Sequence, residues 1–234
     1  FWTAGGEEYS WEIGTPGSEH INTTYSGAKA WKTNRTFFYN SFEDSYVESP
    51  CYDINDTSKV IIELAQNRII ESGDGSAIYY TIDNGQTWTK VPDHTYSWTW
   101  NWYNNTSIEL LGGSGWDGNS NGWIISKQVL PSSLLQQPQV KFRVVMKSND
   151  VDANEGFAFD DFKLYKAPIN IKLNNITSHD SACEGTLPNK ISFSITNNGI
   201  RTIKSAVDKI IAAFKVDNES VVTDTISLSS DLAI

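Results

Sequence analysis

Hydrophobic and polar residues alternate in many short stretches of this chain, and that pattern predicts β-strands. The clearest alternation runs through residues 140–146. Residues 60–65 are apolar on both faces, which predicts a central strand that is covered on each side. About ten such strands follow one another without a sustained helical period, so we expect an all-β fold whose first part is a two-sheet jelly-roll sandwich.

The Lys-Ala-Pro sequence at residues 166–168 predicts a boundary between a domain of residues 1–167 and a domain of residues 168–234. Strand patterns restart after this boundary, and residues 209–216 and 221–228 are expected to pair. The second region holds about 67 residues where an immunoglobulin domain needs about 100. We therefore expect a partial immunoglobulin-like β-sandwich, incomplete at its C-terminal end, with an exposed sheet edge.

The last strand of the first domain, residues 156–165, carries two adjacent aspartates. Strict alternation places Phe157, Phe159 and Asp161 on one face, and Asp160 with Phe162 on the other. One carboxylate then interrupts an apolar face. Because an unpartnered buried carboxylate is costly, we expect it to meet a cation, backbone donors or a metal ion.

The charge of the 234-residue chain limits its partners. Its formal net charge of −10 repels a polyanion, which argues against nucleic acid as a general partner. Because the sequence contains no apolar run of 18 residues, it predicts no membrane span. The chain begins with Phe1, so we expect a processed product or an excised segment from which any signal peptide has been removed.

The two cysteines, Cys51 and Cys183, fall in different predicted domains. A disulfide between them and a pair of free, buried thiols both remain open. The second alternative is favoured, because a buried cysteine commonly behaves as a small apolar residue.

Most of the first 165 residues resemble the MAM-like jelly-roll domain of secreted and surface proteins, including bacterial forms joined to extracellular metallopeptidases and adhesins. The segments that carry the resemblance are residues 11–16, 26–33, 46–54, 73–77, 83–88 and 156–162. The chain lacks the four cysteines of animal MAM domains, so their disulfides and homophilic adhesion are not implied. Residues 197–199 and 221–228 are similar to immunoglobulin-like cell-adhesion-related repeats of bacterial surface proteins.

Residues 81–88 also resemble the Asp-box hairpin of sialidases, in which the aspartate and the tryptophan brace the turn and take no part in catalysis. Here those residues are Asp83 and Trp88, and between them Asn84 and Gly85 are expected to supply the two positive φ angles of a type I′ turn.

A calcium ion near the last strand is implied by the MAM-like resemblance, with further ligands close to the N-terminus. Calcium takes six to eight oxygen ligands, largely from carboxylates and carbonyls. The candidate ligands are Asp160, Asp161, Glu43, Asp44 and Glu12. Alternatively, one aspartate caps backbone amides and the other faces water.

Three tryptophans at alternate positions form the most unusual stretch. Trp98, Trp100 and Trp102 share one face if the chain is extended, and Tyr96 joins them, while Trp116 is a further candidate. Flat aromatic rings stack on sugar rings, so this row is a candidate glycan-binding site. The alternative is that these rings pack in the core.

Signatures of catalysis are weak. The three histidines, His20, His94 and His179, form no His-Glu-x-x-His zinc motif, and no Gly-x-Ser-x-Gly elbow occurs. A carboxylate pair for glycoside hydrolysis remains open, because its members need only meet in space. We expect a non-enzyme.

These observations predict a non-catalytic extracellular recognition or adhesion module of a larger secreted or surface-anchored bacterial protein, braced by Ca²⁺. Its expected partners are an extracellular protein or a glycan, together with neighbouring domains of the parent chain. A carbohydrate-binding module that uses the aromatic row is one alternative. An accessory domain of a secreted metallopeptidase is another.

Overall fold

The computed structural model describes residues 1–55, 59–93, 98–178, 191–215 and 220–233. The chain divides into two compact units, Phe1–Lys166 and Ala167–Ile234. None of the described helices is long and apolar enough to cross a membrane.

The first unit is built from strands joined by loops and two short 3-10 turns, Glu109–Leu111 and Ser132–Leu134. In chain order its strands are β1 (Thr3–Glu7), β2 (Trp11–Gly14), β3 (Ala30–Thr33), β4 (Asp44–Glu48), β5 (Tyr52–Ile54), β6 (Val60–Ile70), β7 (Gly75–Thr81), β8 (Thr89–Lys90), β9 (Asn105–Ile108), β10 (Gly113–Gly115), β11 (Gly118–Asn119), β12 (Ile124–Val129), β13 (Gln137–Lys147) and β14 (Gly156–Lys166).

Twelve of these strands form two antiparallel sheets that pack face to face, and β9 pairs with β10 in a separate two-stranded sheet. The first sheet has the order β1-β4-β13-β7-β8, with β5 also paired to β13. The second has the order β11-β6-β14-β3-β2, with β12 also paired to β6. Val144 and Phe142 of the first sheet share one hydrophobic core with Leu64 and Phe157 of the second. The expected all-β, two-sheet sandwich is therefore confirmed.

The predicted central strand is β6. It pairs with β14 on one side and with β12 and β11 on the other. Ile62 and Leu64 point into the core, and Ile61 and Ala65 on the opposite face are also buried. Coverage on both faces explains the continuous apolar run.

The prediction that side chains alternate strictly between the two faces of the last strand is wrong. The pairing of β14 with β6 shifts between Asp160 and Lys163, and Asp161 has a φ angle of 49°. The extra residue of this β-bulge changes the side-chain parity. Phe162 therefore packs against the core together with Phe157 and Phe159. Asp161 is partly exposed and does not interrupt the core face.

The hairpin between β7 and β8 contains the expected left-handed pair, with φ angles of 59° at Asn84 and 93° at Gly85. The Asp83 carboxylate accepts hydrogen bonds from the Thr81 and Thr87 hydroxyls and from the Thr87 amide. These bonds hold the pKa of Asp83 well below its usual value. Asp83 therefore braces the turn, as the Asp-box resemblance implies.

The second unit contains two antiparallel strand pairs. Its strands are β15 (Ile171–Ser178), β16 (Ile191–Asn197), β17 (Ile210–Phe214) and β18 (Val222–Ile226). β15 pairs with β16, and β17 pairs with β18, as the alternation predicted for residues 209–228. An immunoglobulin-like arrangement of this unit stays a prediction.

Cys51 is a free, exposed thiol, so the expectation that it is buried is wrong. It follows Pro50 at the start of a short edge strand, where its side chain points to solvent. Cys183 lies outside the described residues.

Candidate functional site

An open groove crosses the outer face of the second sheet. In the strand register, Trp100 lies opposite Lys127 of β12, Lys127 lies opposite Glu63 of β6, and Glu63 lies opposite Lys163 of β14. Paired residues of an antiparallel sheet point to the same face. With strands about 4.8 Å apart, these four positions form a row about 14 Å long. The register of the sheet thus sets aromatic and charged side chains side by side.

The groove has a volume of about 390 Å³ and is lined by Tyr25, Glu63, Trp98, Trp100, Ile125, Lys127 and Lys163. Trp100 is 65% exposed and Tyr25 is 45% exposed, so both rings are available to a ligand. Trp98 is partly buried and lines the same groove.

A network of polar contacts fixes the charged floor of the groove. Lys127 Nζ lies 3.0 Å from the Glu63 carboxylate, and the Tyr165 hydroxyl donates to Glu63 over 2.7 Å. Burial by itself raises the pKa of Glu63, but these two hydrogen bonds outweigh it and lower the pKa below its usual value. Glu63 is therefore ionised and well positioned at neutral pH.

The loop that carries Tyr25 is fastened beside the groove by two contacts. The Ser26 amide donates to Asp160 over 3.0 Å, and the Ser26 hydroxyl donates to Asp161 over 2.8 Å. On the other side, Trp123 Nε1 donates to the Thr23 carbonyl over 3.1 Å. These bonds restrain the Tyr25 loop.

The structure places only part of the predicted aromatic row in the groove. Trp98 and Trp100 line the groove, but Trp102 and Trp116 are 6% and 0% exposed. Tyr96 lies outside the described residues. Asn101 has a φ angle of 46°, which breaks the extended conformation and turns Trp102 away from the face of Trp100.

The two buried tryptophans belong to the core. The Trp102 and Trp116 rings meet edge to face with centroids 4.9 Å apart, and Trp116 stacks on Phe157 with centroids 5.5 Å apart. The Trp116 indole donates to the Asn101 carbonyl over 3.2 Å. The expectation that these two rings bind a ligand is therefore wrong.

The five predicted calcium ligands are not brought together. Glu12 lies beside Arg35, Asp44 pairs with Lys147, and both Asp160 and Asp161 bind Ser26. In the part of the chain that the structure describes, no three His, Cys, Asp or Glu residues form a group able to hold a metal ion. The described structure gives this ligand set no support, and calcium binding stays a prediction.

Glu43 is buried, and its carboxylate is occupied by hydrogen bonds from neighbouring loops and from β4. Its carboxylate accepts hydrogen bonds from the amides of Ser10 and Asn40 and from the hydroxyls of Ser10 and Ser45. Burial raises its pKa, while the hydrogen bonds from the two serines oppose that shift. Glu43 therefore joins the loop around residue 10 to the start of β4.

The ammonium of Lys32 is a buried cation that the sequence did not reveal. Lys32 is 0% exposed, and its Nζ donates to the carbonyls of Thr33, Asn34, Phe37 and Glu155 over 2.6–3.3 Å. Burial lowers its pKa to about 8, against the opposing field of Glu155. Lysine is rarely buried, so alternation alone gave no signal for this role.

His20 pairs with the buried Glu155, with 2.9 Å between Nδ1 and the carboxylate. Glu155 also accepts the backbone amides of His20 and Ile21. This arrangement holds a surface loop against β14. His94 and His179 lie outside the described residues.

Sequence reasoning missed Tyr25, Glu63, Lys127 and Lys163 as groove residues. Their proximity depends on strand pairing across three strands and one loop, which alternation within a strand does not report. The charged positions Glu63 and Lys127 within otherwise apolar strands were the available signal.

No family model matches the sequence, and no curated protein matches it. Among solved structures, the K2 cleaved adhesin domain of Lys-gingipain has a TM-score of 0.39 and 16% identity, covering 70% of this chain and 88% of that one. The K3 cleaved adhesin domain of Lys-gingipain from Porphyromonas gingivalis W83 has a TM-score of 0.38 and 13% identity, covering 70% and 90%. CBM35 from Paenibacillus barcinonensis has a TM-score of 0.27 and 16% identity, covering 68% and 98%. No family is assigned to the chain on this basis.

Proposed function

We propose that the first unit is a non-catalytic binding module that recognises a glycan in the groove formed by Tyr25, Trp98 and Trp100 over the row of Lys127, Glu63 and Lys163. The observation that carries the proposal is the register of this row. It sets an exposed tryptophan beside three charged side chains in an open groove. A site that binds an oligosaccharide needs apolar stacking contacts from aromatic rings and hydrogen bonds from polar side chains.

The aromatic rings supply the apolar part of recognition. One face of a pyranose ring presents C–H groups, which pack on a flat aromatic surface. Trp100 and Tyr25 are exposed enough to offer such surfaces without unfolding any element. Binding to a largely preformed site avoids the entropy cost of ordering it.

The charged side chains supply the polar part. Glu63 accepts hydrogen bonds and the two lysines donate them, which suits the hydroxyl groups of a sugar. Charge-assisted hydrogen bonds of this kind are stronger than neutral ones. The mutual contacts of Lys127, Glu63 and Tyr165 fix their directions before a ligand arrives.

A binding role is favoured over hydrolysis by the single carboxylate among the described groove residues, Glu63. Glycoside hydrolysis ordinarily uses two carboxyl groups on either side of the scissile bond. Here both hydrogen-bonded neighbours of Glu63 hold it as an anion, which is unsuited to a general acid. The proposed extracellular location follows from the ligand class and from the resemblance to exported proteins.

The test is a screen of soluble neutral and acidic polysaccharides by affinity electrophoresis, followed by calorimetry on any ligand found. We expect Trp100→Ala to weaken binding at least tenfold, about 1.4 kcal/mol, without loss of the fold. Phe37→Ala, which removes an exposed ring outside the groove, is the matched control and should bind normally. Equal binding by wild type and Trp100→Ala would refute the groove as the site.

A further inference from the structure

A second exposed surface lies on the loops and is distinct from the groove. We call Tyr9, Phe37, Phe38, Phe42 and Val151 the aromatic loop patch; their exposed fractions range from 42% to 75%. Phe37 and Phe38 stack on one another with centroids 4.9 Å apart. Exposed large apolar side chains are common singly, but a cluster on adjoining loops is characteristic of an interaction site.

Backbone hydrogen bonds join the three loops of the patch. The Asn34 amide donates to the Ser10 carbonyl over 2.7 Å, next to Tyr9. The Tyr39 amide, next to Phe38, donates to the Asn154 carbonyl over 3.1 Å. These bonds hold the loops that carry the patch residues next to one another.

The loop that carries Phe37 and Phe38 is anchored from beneath. The Lys32 ammonium binds the Phe37 carbonyl over 3.3 Å, and the buried Glu43 carboxylate binds the Asn40 amide over 3.2 Å. The Asn40 carbonyl in turn accepts a hydrogen bond from the Ser148 hydroxyl over 2.6 Å. Because buried groups fix the backbone, the aromatic rings are held outward.

Phe42, which is also exposed, has a strained backbone conformation. Its φ angle is 57°, a left-handed conformation that bulky residues rarely adopt. The Phe42 amide donates to the Asn149 carbonyl over 3.0 Å, which holds this conformation. Strained residues that surrounding contacts hold in place are concentrated at binding sites.

The patch is bordered by acidic side chains. Glu7 and Glu8 directly precede Tyr9, and Asp150 and Asp152 flank Val151; all four are exposed and none forms an ion pair with the described residues. The nearby cations are already engaged. Arg35 lies beside Glu12, and Lys147 pairs with Asp44. The border therefore has an uncompensated negative field.

We propose that the aromatic loop patch docks a basic segment of a protein partner, one that presents arginine or lysine together with apolar side chains. The aromatic faces attract cations through their quadrupoles and cover apolar side chains. The carboxylates complement the positive charge and steer association. An anionic membrane surface would be repelled by the same carboxylates.

The experiment measures binding of a short synthetic peptide in which arginine and leucine alternate, with a glutamate–leucine peptide as its counterpart. Wild type should bind only the basic peptide, with an affinity that falls as salt rises. The double variant Phe37→Ser with Phe38→Ser should weaken this binding at least about tenfold. Trp100→Ala, which alters the groove, should leave it unchanged.

A second variant tests the charges without touching the aromatic rings. Glu8→Gln with Asp150→Asn and Asp152→Asn preserves side-chain size, and it should weaken peptide binding several-fold and flatten the salt dependence. Melting curves verify that each variant is folded. The same proteins are also mixed with phosphatidylcholine vesicles, with and without phosphatidylglycerol.

Three results would overturn the proposal. They are no binding of the basic peptide by wild type, equal binding by wild type and both patch variants, and binding to vesicles that the phenylalanine substitutions abolish. Loss of peptide binding in both variants, with normal binding by Trp100→Ala and no vesicle binding, would support it.

Discussion

The Ser26 hydroxyl donates a hydrogen bond to the Asp161 carboxylate over 2.8 Å, at the β-bulge of β14. The neighbouring Asp160 accepts the Ser26 amide over 3.0 Å. Two adjacent carboxylates therefore fasten the loop that presents Tyr25 to the groove. The β-bulge allows both carboxylates to reach Ser26, because it keeps both aspartates out of the core.

We predict that Ser26→Ala weakens glycan binding several-fold. It removes the hydroxyl donor to Asp161 and loosens the Tyr25 loop, at a cost of about 0.5–1.5 kcal/mol. The melting temperature should change little, because Ser26 is exposed. Calorimetric titration with a glycan that binds wild type measures the effect.

The matched control is Glu109→Gln, a neutralisation of an exposed residue outside the groove. It should bind as wild type does. If Ser26→Ala also bound the glycan with wild-type affinity, the Tyr25 loop would have no part in recognition.

We predict losses of stability of very different size for two tryptophans that the sequence places in one candidate site. Trp116→Ala should lower the free energy of unfolding by about 3–5 kcal/mol, because it empties a fully buried position against Phe157. Trp100→Ala should lower it by less than about 1 kcal/mol, because that ring is 65% exposed. Urea denaturation of both variants measures the difference, and similar losses would contradict the structure.

The strands and the two-sheet class could be predicted because alternation reports which face of a strand is buried. It failed at single residues with positive φ. Asn101, with a φ angle of 46°, turns Trp102 inward, and Asp161, with a φ angle of 49°, moves Phe162 into the core. Each of these residues reverses the face to which the following side chains point, and neither residue type demands this conformation.

The candidate site was harder to predict, because charge alone does not identify a partner. The sequence predicts that one of the two adjacent aspartates meets donors, but it does not reveal that Ser26, 134 and 135 residues away along the chain, donates to both Asp160 and Asp161. Lys32 looked like an ordinary strand residue, although its ammonium organises four carbonyls. Such contacts follow from loop packing, which has no periodic signal.

We predict that Gly156→Ala is strongly destabilising. Gly156 has a φ angle of 87°, and an added Cβ would overlap Thr33 Oγ1. Strain and overlap together should cost about 2–4 kcal/mol. Gly118→Ala is the control for strain alone, because Gly118 has a φ angle of 62° and nothing lies near its Cβ position. Chemical denaturation should show the larger loss at Gly156, and equal losses would contradict the predicted overlap.

We predict a pH-dependent contribution to stability from His20 and Glu155. The hydrogen bond to Glu155 raises the pKa of His20 above 6.5, against a smaller lowering by burial. Because the folded pKa is the higher one, this stabilisation is fully present below pH 6.5 and is lost as pH rises through the raised pKa. Protonated His20 thus favours the folded state.

Melting temperatures of wild type and His20→Gln test this sign. The wild type should exceed the variant more at about pH 5.5 than at about pH 9, where the imidazole is neutral in both states. The comparison within each pH removes the contribution of other groups, including Glu43. A difference that does not depend on pH would refute the role of the charged imidazole.

Lys32→Met should cause the largest loss of stability among single substitutions of lysine in the first unit. Methionine has a similar length but leaves the carbonyls of Thr33, Asn34, Phe37 and Glu155 without their shared donor. Removing one partner from a buried polar cluster costs about 3–5 kcal/mol. Lys29→Met, at an exposed position three residues earlier, should be nearly neutral.

Because the same ammonium anchors the loop of Phe37, the Lys32 variant should also expose backbone amides of residues 34–40 to faster hydrogen exchange. Unchanged exchange in that loop, with wild-type stability, would show that the carbonyl cluster does not depend on the lysine.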